Sequence, residues 1–546
     1  MSDADLLFPG QLATTWADCL DRLRRDEVAV RLARKDHTLW REDPTEISNR
    51  LDWLDAPEML RPRLGEIEGV VESVRRDGYD SAVVVGMGGS SLGAEALRAG
   101  FAPAQLQGLT LHVLDSTVPS WIRQVRAAID PARTLFLIAS KSGTTLEVTS
   151  LFDYFWGEVE QATGGVATGE RFVAITDPGT ALGERARELG FRHVFENPPN
   201  VGGRYSVLTF FGLVAAGLLG IDVGRLLERA DTLAAACRRE DPRANPGLAL
   251  GALLGAAALS GRYKLALPAT ESLVTFGLWA EQLIAESTGK EGKGILPIAA
   301  EPWGQPEHYG DDRIFAGLAL AQDDDGPLHH HLHSLRESSF PVASFHLADP
   351  YDLGAELYRW EVATAVAGHL LGIQPFDQPD VQDAKTRAKA AMEDFQQRGS
   401  LPTPETHSID DLQTRLGSDP APSYLALMAY RAPDAAFEAA VGRLRTVLLL
   451  HRNLATTFGY APRLLHSTGQ LHKGGPAGGL FVQLVSSAEA PLDIPGRPYD
   501  FSTVFATQAL GDAEALRAQD RDVLRLDLGT DAAHQLTALA AAIEKA

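Results

Sequence analysis

The sequence predicts an α/β protein with two doubly wound parallel-sheet domains, a helical N-terminal arm and an additional C-terminal α/β region. Three observations carry this. The chain has 546 residues, which calls for several domains of about 100–200 residues each. From about Ala82 onward, short β-branched or apolar runs alternate with glycine- or serine-rich turns and helical patterns, the texture of a parallel sheet covered on both faces. A polar stretch rich in Pro, Ser and Gly, residues 396–424, interrupts that texture once and reads as a linker.

Taken in order, residues 1–64 are charged and helical in pattern, most clearly from Leu12 to Lys35, and Asp43-Pro44 is a helix-start signal. Residues 65–240 hold the first α/β domain. SAVVVGMGGSSLGAEALR, LHVLD, TLFLIASKSGTTLEVTSLFDYF, RFVAITDP and FRHVFENP supply its strands, turns and helices. LTFFGLVAAGLLGI opens a helical stretch to about Ser260. The second domain, residues 241–395, contains YKLALPA, WAEQLIAESTGKEG, FPVASFHL and a long helical pattern over 354–371. Residues 425–546 carry TVLLL, GLFVQLV and DVLRLDL as strand signals and end in an Ala/Leu-rich helix.

Bulk numbers exclude several classes. The net charge of −22 argues against nucleic acid, whose phosphates need a basic footprint. No apolar run approaches the roughly 20 residues that span a bilayer, so no membrane partner is expected. The start MSDADLLFPGQ has no basic-then-apolar leader. Cys19 and Cys237 are the two cysteines, which suits a reducing compartment, and the cytoplasm is the expected location.

ASKSGTT, residues 139–145, follows the buried run LFLI. Ligands of open parallel sheets sit where strand meets helix. There the backbone N–H groups and the helix N-terminus favour an anion, and Ser and Thr hydroxyls add donors without net charge. A phosphate fits; helix capping is the competing reading. VVVGMGGSSLG is a second such turn, with Gly88, Gly89 and Ser90. Its G-x-G-G spacing, and Gln107-Gly108 where an acidic residue is wanted, argue against a dinucleotide fold. No P-loop pattern occurs. NVGGRYSVLT presents Arg204 behind two glycines, a cation suited to a developing oxyanion. AESTGKEGKG sets Glu286 near a helix end, where a carboxylate is held rigidly. FDQPDVQDAK opens a helix, with Asp377 as its cap and Lys385 about two turns in. EPWGQPEH leaves a lone His308 in a loop. LHHHLH (His329, His330, His331, His333) reads as a solvated loop rather than a metal site. LLHSTGQLHKGG is rich in donors and reads as a turn, with a second anion site as the alternative.

The order of these motifs resembles the glucose-6-phosphate isomerase family, built from two sugar-isomerase (SIS) domains of three αβα layers. NVGGRYS and FDQ…K correspond to the family's two signature regions. The resemblance covers roughly residues 60 to 390, and it looks closest to the isomerase half of bacterial transaldolase–isomerase fusion proteins. It implies that Ser140, Lys141, Ser142 and Thr145 bind the substrate phosphate, and that Gly89 and Ser90 touch the sugar. It implies further that Arg204 steadies an enediolate, Glu286 is the general base, Gln378 binds substrate, and Lys385 is catalytic as a candidate for the ring-opening proton transfers. It assigns ring opening to a histidine from the neighbouring subunit, placed here at His308 by its spacing of seven residues after Glu301. Ser142-Gly143, Asp380 and Gln382 depart from the family pattern. The implied reaction interconverts glucose 6-phosphate and fructose 6-phosphate, needs no metal or redox cofactor, and is expected of a homodimer acting on a small-molecule sugar phosphate. The alternatives are an isomerase that also takes mannose 6-phosphate, a non-catalytic sugar-phosphate sensor, and a scaffold that binds a separate transaldolase through the C-terminal region.

Overall fold

The computed structural model describes residues 3–7, 10–486 and 489–545. It contains three sheets. The first joins β2 (Ser81–Gly86), β3 (Thr110–Leu114), β4 (Thr134–Ala139), β5 (Phe172–Thr176) and β6 (His193–Glu196) in the order β3-β2-β4-β5-β6, all parallel. Every residue of β2, β4 and β5 is buried. A strand covered on both faces has no solvent side, so these three read as unbroken apolar runs rather than alternating ones.

The second sheet joins β1 (Asp3–Leu7), β7 (Lys264–Leu267), β8 (Leu296–Ala299), β9 (Arg313–Leu320) and β10 (Val342–Leu347) in the order β1-β10-β9-β7-β8. Its edge strand β1 pairs antiparallel with β10. The N-terminal arm, expected to be helical, therefore begins with a strand that covers a sheet edge. The helices Gly10–Arg25 and Val28–Ala33 follow, as the 12–35 pattern predicts.

The third sheet joins β11 (Tyr424–Tyr430), β12 (Ala455–Tyr460), β13 (Gly479–Val485) and β14 (Asp522–Asp527) in the order β12-β11-β13-β14, again parallel. TVLLL is not a strand. It lies within the helix Ala435–Arg452, whose Leu444, Val447 and Leu448 recur at helical spacing and are buried. Residues 409–416, inside the expected linker, form a helix capped by Ser408. The histidine run also lies on a helix, Gly326–Glu337, with His331 stacked on Trp303 at 5.1 Å.

Setting aside the edge strand β1, all three sheets share one winding: the first strand lies inside, the second outside it, and the third returns to the first strand's other flank. This reversal opens a crevice at the carboxyl ends of the first and third strands, the place where open α/β sheets bind ligands. In the first sheet those strands are β2 and β4, and the turns that follow them are GMGGSS and SKSGTT.

One helix ties the sheets together. Val274–Thr288 is buried along nearly its whole length and packs against β8, the helices Leu92–Gly100 and Asp352–Leu371, and the short helix Gly469–Gly474. Being surrounded, it is apolar on most sides, and its few polar side chains need partners. Glu281 is one of them: its carboxylate accepts from the Ala299 amide at 2.8 Å. Burial pushes its pKa from 4.5 up to about 7, despite that hydrogen bond and the nearby Arg445. Between these two values the folded chain holds a proton that the unfolded chain has released, so stability falls as pH rises through the window. The span corresponds to roughly 3 kcal/mol. Glu281→Gln is therefore expected to flatten the pH dependence of the urea midpoint between about pH 4.5 and pH 7. An unchanged slope in the variant counts against it. None of the described helices is long and apolar enough to cross a membrane.

Candidate active site

The site forms at the β2/β4 crevice, where the long buried helix and the segment around Gln378 close over it. Arg204 sits in one turn of 3-10 helix, Gly203–Tyr205, and is 4% exposed. Its five donors are spent in one direction. Nε donates to Ser287 Oγ at 2.9 Å, Nη1 to Gln378 Oε1 at 2.8 Å, and Nη2 to the carbonyls of Pro375 and Asp377 at 2.8 and 2.9 Å. Nη1 also lies 3.2 Å from Glu286 Oε1. The guanidinium thus locks the loop before Gln378 against Glu286. Tyr205 backs the turn by stacking on Trp53 at 4.9 Å and reaching Ser287 Oγ with its hydroxyl at 3.2 Å.

Glu286 projects from the end of Val274–Thr288 and is 6% exposed. One turn earlier, Gln282 lies on the same face and donates to Glu286 Oε2 at 3.1 Å. Lys290, past the helix end, donates to the Gln374 carbonyl and pairs with Asp377, each at 2.6 Å. Burial, together with the neighbouring Arg204 charge, lowers the Lys290 pKa to about 8. Asp377, expected to cap the next helix, instead holds Lys290, and Gln378 occupies the cap position of Pro379–Arg398.

The glycines of GMGGSS have a packing reason. A Cβ on Gly89 would stand 1.9 Å from the Gly203 carbonyl oxygen, and one on Gly88 would stand 2.7 Å from both the Gln282 amide nitrogen and the His466 carbonyl oxygen. Gly88 also has φ +57°. Ser90 stands at the crevice mouth, half-buried, and its hydroxyl makes no hydrogen bond to any described residue.

After β4 the hydroxyls organise one another. Ser140 Oγ meets Thr145 Oγ1 at 3.1 Å and accepts from the Gly143 amide at 3.2 Å, while Ser142 Oγ meets Thr144 Oγ1 at 3.1 Å. Gly143 needs φ +69° to close this loop. The helix Leu146–Thr163 starts directly behind it, and no side chain caps its N-terminus. Its free N–H groups and dipole remain available to an anion. Lys141 points elsewhere: its ammonium donates to Asp177 and, at 2.6 Å, to the Pro199 carbonyl. The positive charge therefore sits beside the loop rather than among the hydroxyls.

Lys385 lies exposed on Pro379–Arg398, and its charge acts on Glu147 in the first turn of Leu146–Thr163. Glu147 is fully enclosed. It accepts from His466 Nε2 at 2.8 Å and from Gln508 Nε2 at 2.7 Å. Burial alone would raise its carboxyl; the charge and hydrogen bond of His466 outweigh it and bring the pKa down to about 2. His308 occupies a different place. It ends the short turn Pro306–His308, its Nδ1 accepts from the Gln305 amide at 2.9 Å, and among the described residues it makes no hydrogen bond or ion pair with Glu286, Arg204 or Lys385.

The structure thus gathers Gly89, Arg204, Glu286 and Gln378 in one cluster. Ser140, Ser142 and Thr145 form the adjoining loop. Gln282, Ser287, Lys290, Glu147, His466 and Gln508 complete the surroundings. The i, i+4 spacing from Gln282 to Glu286 was a readable signal; the approach of Gln508 and His466 was not.

A doubly wound α/β fold that sets a hydroxyl-lined loop beside a buried Glu–Arg pair at the strand ends is an arrangement suited to a sugar-phosphate isomerase. Comparison with known proteins narrows this. Residues 70–295 match the family model "Phosphoglucose isomerase". The chain is 32% identical over 393 residues to the glucose-6-phosphate isomerase of Symbiobacterium thermophilum, covering 62% of this chain and 86% of that protein. It is 30% identical over 392 residues to that of Rubrobacter xylanophilus, covering 62% and 89%. A crystal structure of a glucose-6-phosphate isomerase from Chlamydia trachomatis shares the fold, with TM-score 0.58 and 20% identity over 69% of this chain and 86% of that one. The chain belongs to the glucose-6-phosphate isomerase family.

Proposed function

We propose that the protein interconverts glucose 6-phosphate and fructose 6-phosphate through an enediolate. The observation that carries this reading is the Glu286–Arg204 pair, 3.2 Å apart and buried beside an anion-binding loop. The substrate phosphate rests on Ser140, Ser142, Thr145 and the first amides of Leu146–Thr163, which orients the sugar from its far end. Ser90 and Gln378 contact the hydroxyls. Once the ring is open, Glu286 removes the C2 proton, and the electron pair left behind forms the C1–C2 double bond as charge moves to O1. Arg204 stands at that developing oxyanion, a placement that in other enzymes is worth about 3–4 kcal/mol. Glu286 then returns the proton to C1, the O2 hydroxyl proton passes to O1, and the C2 carbonyl of the ketose results.

The stretch LLHSTGQLHKGG is built into the crevice, through His466 contacts with Gln282 and Glu147. The two unpaired, buried thiols of Cys19 and Cys237 suit the cytoplasm. A single-chain sensor would not need a general base and a buried guanidinium together.

The direct test is a coupled assay with fructose 6-phosphate, run with and without a chelator. Turnover unaffected by the chelator is expected. Stable binding of the sugar phosphate without turnover would favour the sensor and reject the isomerase.

A further inference from the structure

We propose that a cavity between the second and third sheets is a second ligand site, built for a small monocarboxylate with an apolar body. It stands apart from the sugar-phosphate crevice, whatever reaction that crevice performs. The cavity has a volume of about 270 Å³ and lies where the edge strands β8 and β12 approach each other. Leu278 and Glu281 of Val274–Thr288 form one further wall, and Arg463, Leu464, Ser467, Thr468 and His472 form another. The stretch LLHSTGQLHKGG thus serves two places: His466 faces the crevice, while Ser467, Thr468 and His472 line this cavity.

Arg445 gives the cavity its preference for an anion. This side chain, on the helix Ala435–Arg452, is 5% exposed and ties the two sheet edges together. Nε donates to Thr456 Oγ1 at 3.0 Å, Nη1 to the Ala300 carbonyl at 2.8 Å, and Nη2 to the carbonyls of Ala299 and Thr456 at 3.2 and 2.9 Å. All these acceptors are neutral, and one N–H on Nη1 is left over. A guanidinium cannot shed its charge, and a buried charge ordinarily keeps a counter-ion. Among the described residues Arg445 has none. The carboxylates on the walls are engaged elsewhere: Glu438 accepts from the Tyr460 hydroxyl at 3.0 Å, and Glu281 from the Ala299 amide at 2.8 Å.

The other polar groups on the walls are also open. His472 is 3% exposed, and both of its ring nitrogens lack a partner among the described residues. Leaving such a group unmet costs free energy that a ligand recovers. Arg463 donates to Asp115 through Nε at 2.7 Å, while its Nη1 and Nη2 make no hydrogen bond to any described residue. The hydroxyls of Ser467 and Thr468 are likewise unengaged by described residues. The remaining surface is apolar, from Leu92, Leu278, Leu427, Phe458 and Leu464. A dianionic phosphate would turn oxygens toward these side chains. A carboxylate sets both oxygens on the polar wall and its carbon body on the apolar one, the division expected of a small-molecule pocket.

The experiment titrates benzoate, and its neutral counterpart benzamide, into the full-length chain by calorimetry. The benzoate titration is repeated in the presence of fructose 6-phosphate and of inorganic phosphate. Benzoate is expected to bind, with benzamide weaker by about tenfold or more for want of the charge. Neither fructose 6-phosphate nor phosphate is expected to compete with it. Arg445→Met is expected to weaken benzoate by about tenfold or more. Because Arg445 also ties two sheet edges, Thr468→Val serves as a variant that leaves those ties intact, with a loss of about threefold expected. A crystal soaked in benzoate is expected to show it between Arg445 and Leu427. Failure of benzoate to bind the folded wild type, equal affinity for benzamide, or undiminished binding in the folded variants would overturn the site. Competition by fructose 6-phosphate would move the benzoate into the crevice, and competition by phosphate would replace the monocarboxylate with an inorganic anion; either result overturns the proposal.

Discussion

Glu286→Gln is expected to lower turnover by about 10³–10⁴-fold, toward the upper end of what a positioned acid–base group contributes. Sugar-phosphate affinity should change little, because the anion loop around Ser140 and Thr145 makes no contact with Glu286. The substitution keeps the shape of the side chain and its contacts with Gln282 and Arg204, so the buried cluster loses a charge but not its packing. Folding is therefore a weak explanation for lost activity. The check is a direct binding titration beside the coupled assay. A variant that turns over at near-normal rate would show that another group moves the proton; parallel losses of binding and turnover would assign Glu286 to substrate binding.

Arg204→Lys is expected to lower kcat by about 10²–10³-fold, the cost of removing one donor from an oxyanion site, with a smaller change in KM. Lysine keeps the charge but not the planar fork. The fork does two jobs here. It faces Glu286 at 3.2 Å, and it ties the carbonyls of Pro375 and Asp377 and the amide of Gln378 into one loop. A lysine ammonium cannot span Ser287, Gln378 and Pro375 together, so the loop will loosen. Circular dichroism and a urea midpoint separate that loosening from unfolding. Equal effects on kcat and KM in a folded variant would reduce Arg204 to a binding residue.

The first sheet and the loop after β4 were legible because their signals are local; of the second sheet only β7 and β10 were read, as YKLALPA and FPVASFHL. β2 and β4 are unbroken apolar runs, each followed at once by the glycines or hydroxyls that make the turn, and both turns fall at the crevice that the strand order creates. Other elements were hidden by tertiary context. TVLLL has strand-forming composition, yet Phe437, Ala440, Val441 and Leu444 precede it at helical spacing, and the buried face across Ala435–Arg452 carries it into a helix. Asp377 looked like a cap, but the desolvated ammonium of Lys290 is the stronger competitor for a carboxylate.

The third unit was the least legible part of the site. Nothing in LLHSTGQLHKGG says that His466 meets Glu147, 319 residues earlier. One departure from the family pattern did point there. Asp380, where the resemblance expects a small residue, takes Gln470 of that stretch as its partner: its amide donates to Gln470 Oε1 at 3.0 Å, and the Gln470 amide donates back to its carboxylate. Likewise Asp115, directly after β3, is buried and holds Arg463 at 2.7 Å. A residue that looks out of place in a local motif is here the contact point of a distant segment.

The most direct measurement is a crystal structure with an open-chain hexose 6-phosphate or an enediolate mimic bound. The phosphate is expected on the loop from Ser140 to Thr145, with a Glu286 carboxylate oxygen about 3–3.5 Å from both C1 and C2. A ligand whose phosphate lies elsewhere, or whose first two carbons lie beyond reach of Glu286, would contradict the account.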